Sequence, residues 1–115
     1  MYFVEKKKGE GPKIKAGQKV TVRYKGMFLS GEEFDGSERH EGQPPFVFEV
    51  GAKPQQVIPG WDLGFQMMSK GSQATLILPS ALCYDSIGRQ DERSGRYAIY
   101  PYTPLVFEVE VLDVK

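Results

Sequence analysis

Strand-like alternation dominates this chain, and the one segment that breaks the period fixes what it can fold into. From Lys19 to Tyr24, polar Lys19, Thr21 and Arg23 alternate with Val20, Val22 and Tyr24, which puts the apolar set on one face of a strand. Phe46, Phe48 and Val50 alternate with Val47 and Glu49, and Ala74, Leu76 and Leu78 with Thr75 and Ile77. Near the C-terminus Leu105, Phe107, Val109 and Val111 stand against Val106, Glu108 and Glu110. Residues Tyr2 to Lys7 predict a weaker edge strand. After Pro59 the spacing changes: Trp61, Gly64, Phe65 and Met68 follow i, i+3, i+4, i+7, a helical stripe. Proline suits a first helical turn, where its missing N–H has no partner to lose. Lys70-Gly71 supplies the stop, so the helix is expected to run about three turns at most and to lay its stripe on the sheet. Four or five antiparallel strands with one helix make an α+β domain.

The only tryptophan, Trp61, follows directly on the Pro59-Gly60 turn. Aromatics recur at Tyr24, Phe34, Phe46, Phe48, Tyr84 and Phe107 on the strands and loops. A buried Trp belongs to a core in the first instance, yet aromatics gathered around one Trp are also what an apolar pocket requires. Alternation alone leaves Tyr24, Phe46 and Phe107 open between core and pocket, Asp35-Gly36 open between a turn and a site, and Ile58 open as a staple before the helix. Two segments read as long loops, Gly36 to Pro45 and Tyr84 to Pro104, the second with the charged stretch Arg89-Gln90-Asp91-Glu92-Arg93. Loops of that length in a compact domain are usually functional.

Composition removes several classes. At 115 residues the chain is expected to be a single domain, 1–115, with one core. Fifteen basic and fifteen acidic residues cancel, so no net field favours nucleic acid or an anionic membrane, and no apolar run reaches spanning length. The one cysteine, Cys83, forms no internal disulfide and reads as a small packing residue rather than a nucleophile. His40 stands between Glu38 and Glu41 without a second His or Cys at ligand spacing, which makes it a solvated loop residue and no metal centre. Adjacent carboxylates at Glu32-Glu33 and Asp91-Glu92 sit on turns, not across a cleft as a hydrolase needs.

Taken in order, the motifs resemble those of the FKBP-type peptidyl-prolyl cis-trans isomerases. They are Val22-Arg23-Tyr24-Lys25-Gly26, Gly31-Glu32-Glu33-Phe34-Asp35, Pro45-Phe46-Val47-Phe48-Glu49-Val50-Gly51 and Val57-Ile58-Pro59-Gly60-Trp61. Lys70-Gly71, Leu78-Pro79 and Leu105-Val106-Phe107-Glu108-Val109-Glu110-Val111-Leu112 complete the series, from about Gly9 to the C-terminus. The resemblance implies a twisted antiparallel sheet of four to six strands wrapped over one short helix. It also implies an enzyme that rotates Xaa-Pro bonds and assists the folding of proline-containing polypeptides, with no cofactor and no metal. FKBP-directed macrolides are implied as a second class of ligand, and a monomer is expected.

That chemistry suits an aromatic pocket. Rotation of a prolyl amide breaks resonance against a barrier of roughly 18–20 kcal/mol, with no skeletal bond made or broken. A site helps by preferring the twisted amide over either planar form, through apolar walls and a few donors on the carbonyl oxygens. By match to the family's motifs, Trp61 is the floor and Tyr24, Phe46, Val57, Ile58 and Phe107 the walls. Phe34 is the wall beside the rotating bond, and Asp35 its polar neighbour. The Ile58 amide and the Tyr84 hydroxyl are the donors, and Ile99 is an apolar residue of the loop that closes over the pocket.

The long loop departs from the family pattern. Tyr84-Asp85-Ser86-Ile87-Gly88 with its charged insertion replaces a compact Gly-rich turn, the usual histidine is missing, and Ala98 is smaller than the branched residue often found there. Catalysis is expected to survive, with substrate preference and macrolide affinity altered. Arg39 is the candidate for the arginine that partners the family's aspartate. The rival function is an FKBP-like binding or chaperone module without turnover, a class that often lacks the aspartate, phenylalanine and tyrosine present here as Asp35, Phe34 and Tyr84. A purely structural domain cut from a larger protein is a third reading. Met1 to Val4 lead straight into charge, so the expected compartment is the cytoplasm, with an exported or membrane-anchored parent as the alternative.

Overall fold

The alternating segments pair into a six-stranded antiparallel sheet, with the helical segment laid across it. The computed structural model describes residues 1–36, 45–54, 56–84, 88–90 and 97–115. Along them run β1 (Tyr2–Lys7), β2 (Lys19–Phe28), β3 (Glu33–Gly36), β4 (Phe46–Glu49), α1 (Pro59–Phe65), β5 (Gln73–Leu78), β6 (Arg89–Gln90), β7 (Tyr97–Ile99) and β8 (Leu105–Val114). The order across the sheet is β1-β5-β8-β2-β3, and β4 also pairs with β2. β3 and β4 share one edge of β2: β4 covers Lys19–Val22 and β3 covers Lys25–Met27. A notch is left between them at Arg23 and Tyr24.

Register carries the alternation across the sheet. Gly26, Phe107 and Leu76 lie side by side on β2, β8 and β5, and Tyr24, Val109 and Ala74 form the adjacent row. Val20, Val22, Leu76, Leu78, Leu105 and Val111 of the inner face are wholly buried, each worth about 1.5–3 kcal/mol relative to exposure. The helix docks on β5 through two glycines. A Cβ on Gly60 would collide with the Leu78 side chain, and one on Gly64 would stand 2.8 Å from a Leu76 methyl.

The structure corrects two local expectations. The helix ends at Phe65, well before Lys70-Gly71. The Met67 and Met68 amides donate to the carbonyls of Gly64 and Phe65, three residues back. This tightening is common at helix ends, and it leaves Met68 buried while Met67 faces out. The segment from Tyr84 to Pro104 is not a plain loop, because it contains the two-stranded ladder of β6 and β7. Arg39, His40, Glu38 and Glu41, together with Asp91, Glu92 and Arg93, lie outside the described residues. Cys83 is free and buried, with its thiol pushed up to about 11 by burial, a packing residue in keeping with its composition-level reading. No helix among the described residues is long and apolar enough to cross a membrane.

Tyr102 adopts φ +60°, a left-handed conformation that costs a bulky L-residue about 1–2 kcal/mol and that Asn tolerates. Its side chain is 69% exposed, so little packing is at stake. Tyr102→Asn is expected to raise stability by about 0.5–1 kcal/mol, read as a rise in Tm of roughly 2–6 °C with an unchanged NMR fingerprint elsewhere.

Candidate active site

The notch on β2 opens into a hollow of 240 Å³ whose floor is Trp61. The indole is only 5% exposed, and ring centroids of Tyr24, Phe48, Phe65 and Phe107 lie 5.0–5.7 Å from its own. The Tyr24 and Phe107 rings meet it at 78° and 84°, the edge-to-face geometry that aromatic quadrupoles favour. The indole N–H is buried without an acceptor among the described residues. A donor left so normally costs about 1–3 kcal/mol; here its surroundings are aromatic rings, with which an N–H makes weak contacts.

Walls rise from the strands around this floor. Phe46 of β4 is the most open, 38% exposed and 6.1 Å from both Tyr24 and Trp61. Phe34 of β3 meets Phe107 edge-on at 5.9 Å, and a β-bulge sets its direction. Gly26 pairs with Asp35 while Met27 pairs with Glu33, so Phe34 is the extra residue opposite no partner. Bulges re-aim side chains beside active sites, and this one lets Phe34 and its neighbour Asp35 both line the hollow. Gly26 makes room beneath: a Cβ there would stand 2.8 Å from Phe34 and 2.9 Å from Phe107.

The turn before the helix supplies Val57 and Ile58. It is pinned from both ends, since the Glu49 amide donates to Gln56 Oε1 and the Gly51 amide to Asp62 Oδ1, each at 2.9 Å. Ile58 precedes the first helical turn in extended conformation, and its amide has no acceptor among the described residues. Gln56 itself joins the lining, a contribution the sequence reading missed, because a lone glutamine before the Val-Ile pair carries no pattern.

The polar side is built on Asp35. Its Oδ1 accepts the Gly36 amide at 2.8 Å, its Oδ2 accepts the Tyr24 hydroxyl at 3.2 Å, and Arg89 Nη1 lies 3.5 Å from that same Oδ2. Tyr24 is held well above the ordinary phenol range, first by burial and then by the Asp35 charge. Tyr84 is also raised by burial, against the pull of the Arg89 guanidinium. Both hydroxyls therefore keep their protons at neutral pH, and Tyr24 donates its own to Asp35. Arg89 was read from sequence only as part of a charged stretch. Arg39, the sequence's candidate partner for Asp35, lies outside the described residues.

Of the residues singled out in the sequence, Tyr24, Phe34, Asp35, Phe46, Val57, Ile58, Trp61, Tyr84 and Phe107 line this one hollow. Ile99 does not. It is wholly buried in the core cluster, paired through β7 with Arg89, so it supports the hairpin from beneath instead of closing over the cleft. A larger hollow of 440 Å³ opens on the other face of the sheet among Lys6, Arg23, Lys25, Glu33, Glu108 and Glu110. Charged side chains of both signs on a solvated face are a poor host for an apolar ring, whereas specific ligand sites are largely apolar with few convergent polar groups.

Residues 11–112 match the family described as FKBP-type peptidyl-prolyl cis-trans isomerase. The chain is 40% identical over 107 residues to an FK506-binding protein of Streptomyces anulatus, covering 92% of this chain and 79% of that protein. It is 38% identical over 112 residues to the FKBP-type peptidyl-prolyl cis-trans isomerase FkpA of Escherichia coli, covering 97% of this chain and 36% of FkpA. Among solved structures, AtFKBP13 superposes with a TM-score of 0.85 at 31% identity, covering 98% of this chain and 91% of that one. The chain belongs to the FKBP-type peptidyl-prolyl cis-trans isomerase family. It spans 23% of one curated relative, FK506-binding protein 3 of Yarrowia lipolytica, and little more than a third of FkpA.

Proposed function

We propose that this domain is a peptidyl-prolyl cis-trans isomerase that takes the prolyl ring of a polypeptide onto Trp61. The observation that carries the reading is the arrangement around that indole: an aromatic hollow with a few polar groups at its edge, chief among them Asp35 held by Tyr24. Its 240 Å³ suits one ring and the adjoining amide; clefts for drug-sized ligands run to roughly 300–1,000 Å³. A planar amide carries the charge separation of resonance, and twisting reduces it. A water-excluding aromatic site therefore disfavours the planar ground states more than the twisted one, which lowers the barrier by differential binding. The Ile58 amide and the Tyr84 hydroxyl fix the flanking carbonyls, while Phe34 and the Tyr24-anchored Asp35 bound the rotating bond. None of these roles asks for a nucleophile or a proton transfer.

The test is the cis-trans exchange rate of a short Xaa-Pro peptide by NMR. Exchange is expected to accelerate at catalytic protein concentrations and to be suppressed by an FKBP-directed macrolide such as FK506. Acceleration without macrolide sensitivity assigns the difference to the altered Tyr84–Pro104 segment. No acceleration from a folded sample leaves the binding or chaperone module in its place. Phe34→Ala and Asp35→Asn are expected to lower kcat/KM by roughly five- to tenfold each, about 1–1.4 kcal/mol of transition-state stabilisation, with circular dichroism unchanged. Full activity in both variants removes these residues from the site.

A further inference from the structure

We propose that the free edge of β4 at Val47 takes the flank of a bound polypeptide as an added strand, gripping by its main chain the part of the substrate that the hollow leaves out. The proposal rests on the isomerase reading above. β4 pairs with β2 alone, and printed hydrogen bonds fix which of its groups point away. The Val50 amide donates to the Gln18 carbonyl on the β2 side, and the Gly17 amide to the Val50 carbonyl. Successive residues of a strand turn their N–H and C=O to opposite sides, so Phe48 and Phe46 bond toward β2 while Glu49 and Val47 face outward. The Glu49 amide agrees with that phase, since it donates to Gln56 Oε1 at 2.9 Å. Val47 has no such cap. Its outward amide and carbonyl make no hydrogen bond among the described residues, and the residue is 55% exposed.

Position ties this edge to the site. Phe46, one residue before Val47, is the most open wall of the hollow, and Gln56, which caps the edge at Glu49, lines the hollow as well. A hollow of 240 Å³ holds a ring and its amide, so the residues on either side of them lie outside it. An extended flank that passes Phe46 meets one N–H and one C=O at Val47, enough for a single hydrogen-bonded residue pair. The far edge of the sheet is built against such pairing. β1 carries Lys6 and Lys7 and a break in register between Glu5 and Lys7, the devices that keep edge strands from recruiting another chain. Phe46-Val47-Phe48 has no charge and no proline, and its register with β2 is unbroken. The substrate this edge favours is an extended, unfolded segment whose residue opposite Val47 keeps its amide N–H, which a second proline there lacks.

Peptide length and backbone chemistry test the edge with the protein intact. A decapeptide with proline at its centre is expected to show a kcat/KM roughly three- to tenfold above that of the tetrapeptide with the same central sequence, the gain from one or two added hydrogen bonds. N-methylation of the decapeptide, one flanking amide at a time, is expected to remove that advantage at one position and to spare its neighbours, because alternate amides of a strand face away. The backbone ¹⁵N–¹H resonance of Val47 is expected to shift with the decapeptide and to hold still with the tetrapeptide. Val47→Pro deletes the outward N–H where an edge strand tolerates proline, and the decapeptide-to-tetrapeptide ratio is expected to fall toward one. Any disturbance of Phe46 in that variant affects both peptides and cancels in the ratio. Equal kcat/KM for the two peptides, losses at every N-methyl position or at none, or a Val47 resonance that the decapeptide leaves in place overturn the proposal. A Val47 resonance that moves with protein concentration alone assigns the edge to a second copy of the chain and overturns it too. Should Val47→Pro fail to fold, the N-methyl series on the unaltered protein decides. If exchange in neither peptide is accelerated, the isomerase reading falls by itself, and the Val47 resonance with the decapeptide still decides whether the edge takes a strand.

Discussion

Trp61→Ala is expected to destabilise the protein by about 3–5 kcal/mol, the range for deleting a large buried aromatic, and to abolish measurable isomerase activity. The loss is large because the indole serves two structures at once. On its buried side it packs against Phe48 and Phe65 of the core, and on the other it meets Tyr24 and Phe107 at the hollow. Total stabilities of small domains run about 5–15 kcal/mol, so a cost of this size removes about a fifth of the margin at the least and can remove all of it. Urea unfolding followed by tyrosine fluorescence or circular dichroism reads it directly, and Tm is expected to fall by more than about 10 °C. A variant that unfolds within about 1 kcal/mol of the wild type places the indole outside the packed core and contradicts the arrangement described here.

Gly26→Ala is expected to cut kcat/KM by more than tenfold while costing only about 1–3 kcal/mol of stability, the usual penalty for one methyl group too many. The added carbon would stand 2.8 Å from the Phe34 ring and 2.9 Å from the Phe107 ring, so a ring must shift. Phe107 is held in the core cluster, whereas Phe34 is only half buried, and the movement falls on Phe34. That ring is driven into the hollow it lines. Comparison of kcat/KM with Tm separates the two effects, and a fully active, destabilised Gly26→Ala would mean that the wall yields outward instead.

The strands at Lys19–Phe28, Gln73–Leu78 and Leu105–Val114 were legible because each buries one face and solvates the other, so polarity alternates with the pleat. The helix was legible from its stripe, and its end was not. Met68 fits the stripe, but it reaches the core through tight turns instead of a further helical turn. Trp61 and the aromatics around it pointed to a hollow, while their division between wall and core came from the family resemblance. Ile99 went to the wrong side of the hairpin, since an apolar residue near a cleft reads alike as lid or as support. Arg89 was hidden for a different reason: it is placed by pairing with Ile99 across the β6–β7 ladder, and a charged stretch carries no mark of which member meets a partner. The direction of Phe34 was equally invisible, because a bulge is a property of pairing and leaves no trace in the pattern of one strand.

That bulge makes the cleft sensitive to chain length in a way the rest of β3 is not. Two consecutive residues of an unbroken strand face opposite sides of a sheet, yet Phe34 and Asp35 both line the hollow because one residue of slack separates Glu33 from Asp35 opposite β2. A lineage that trims this strand by a single residue keeps its sheet and its core. It forfeits either the ring or the carboxylate from the cleft, so a deletion of one residue here is expected to cost about as much activity as removing either side chain, roughly five- to tenfold in kcat/KM.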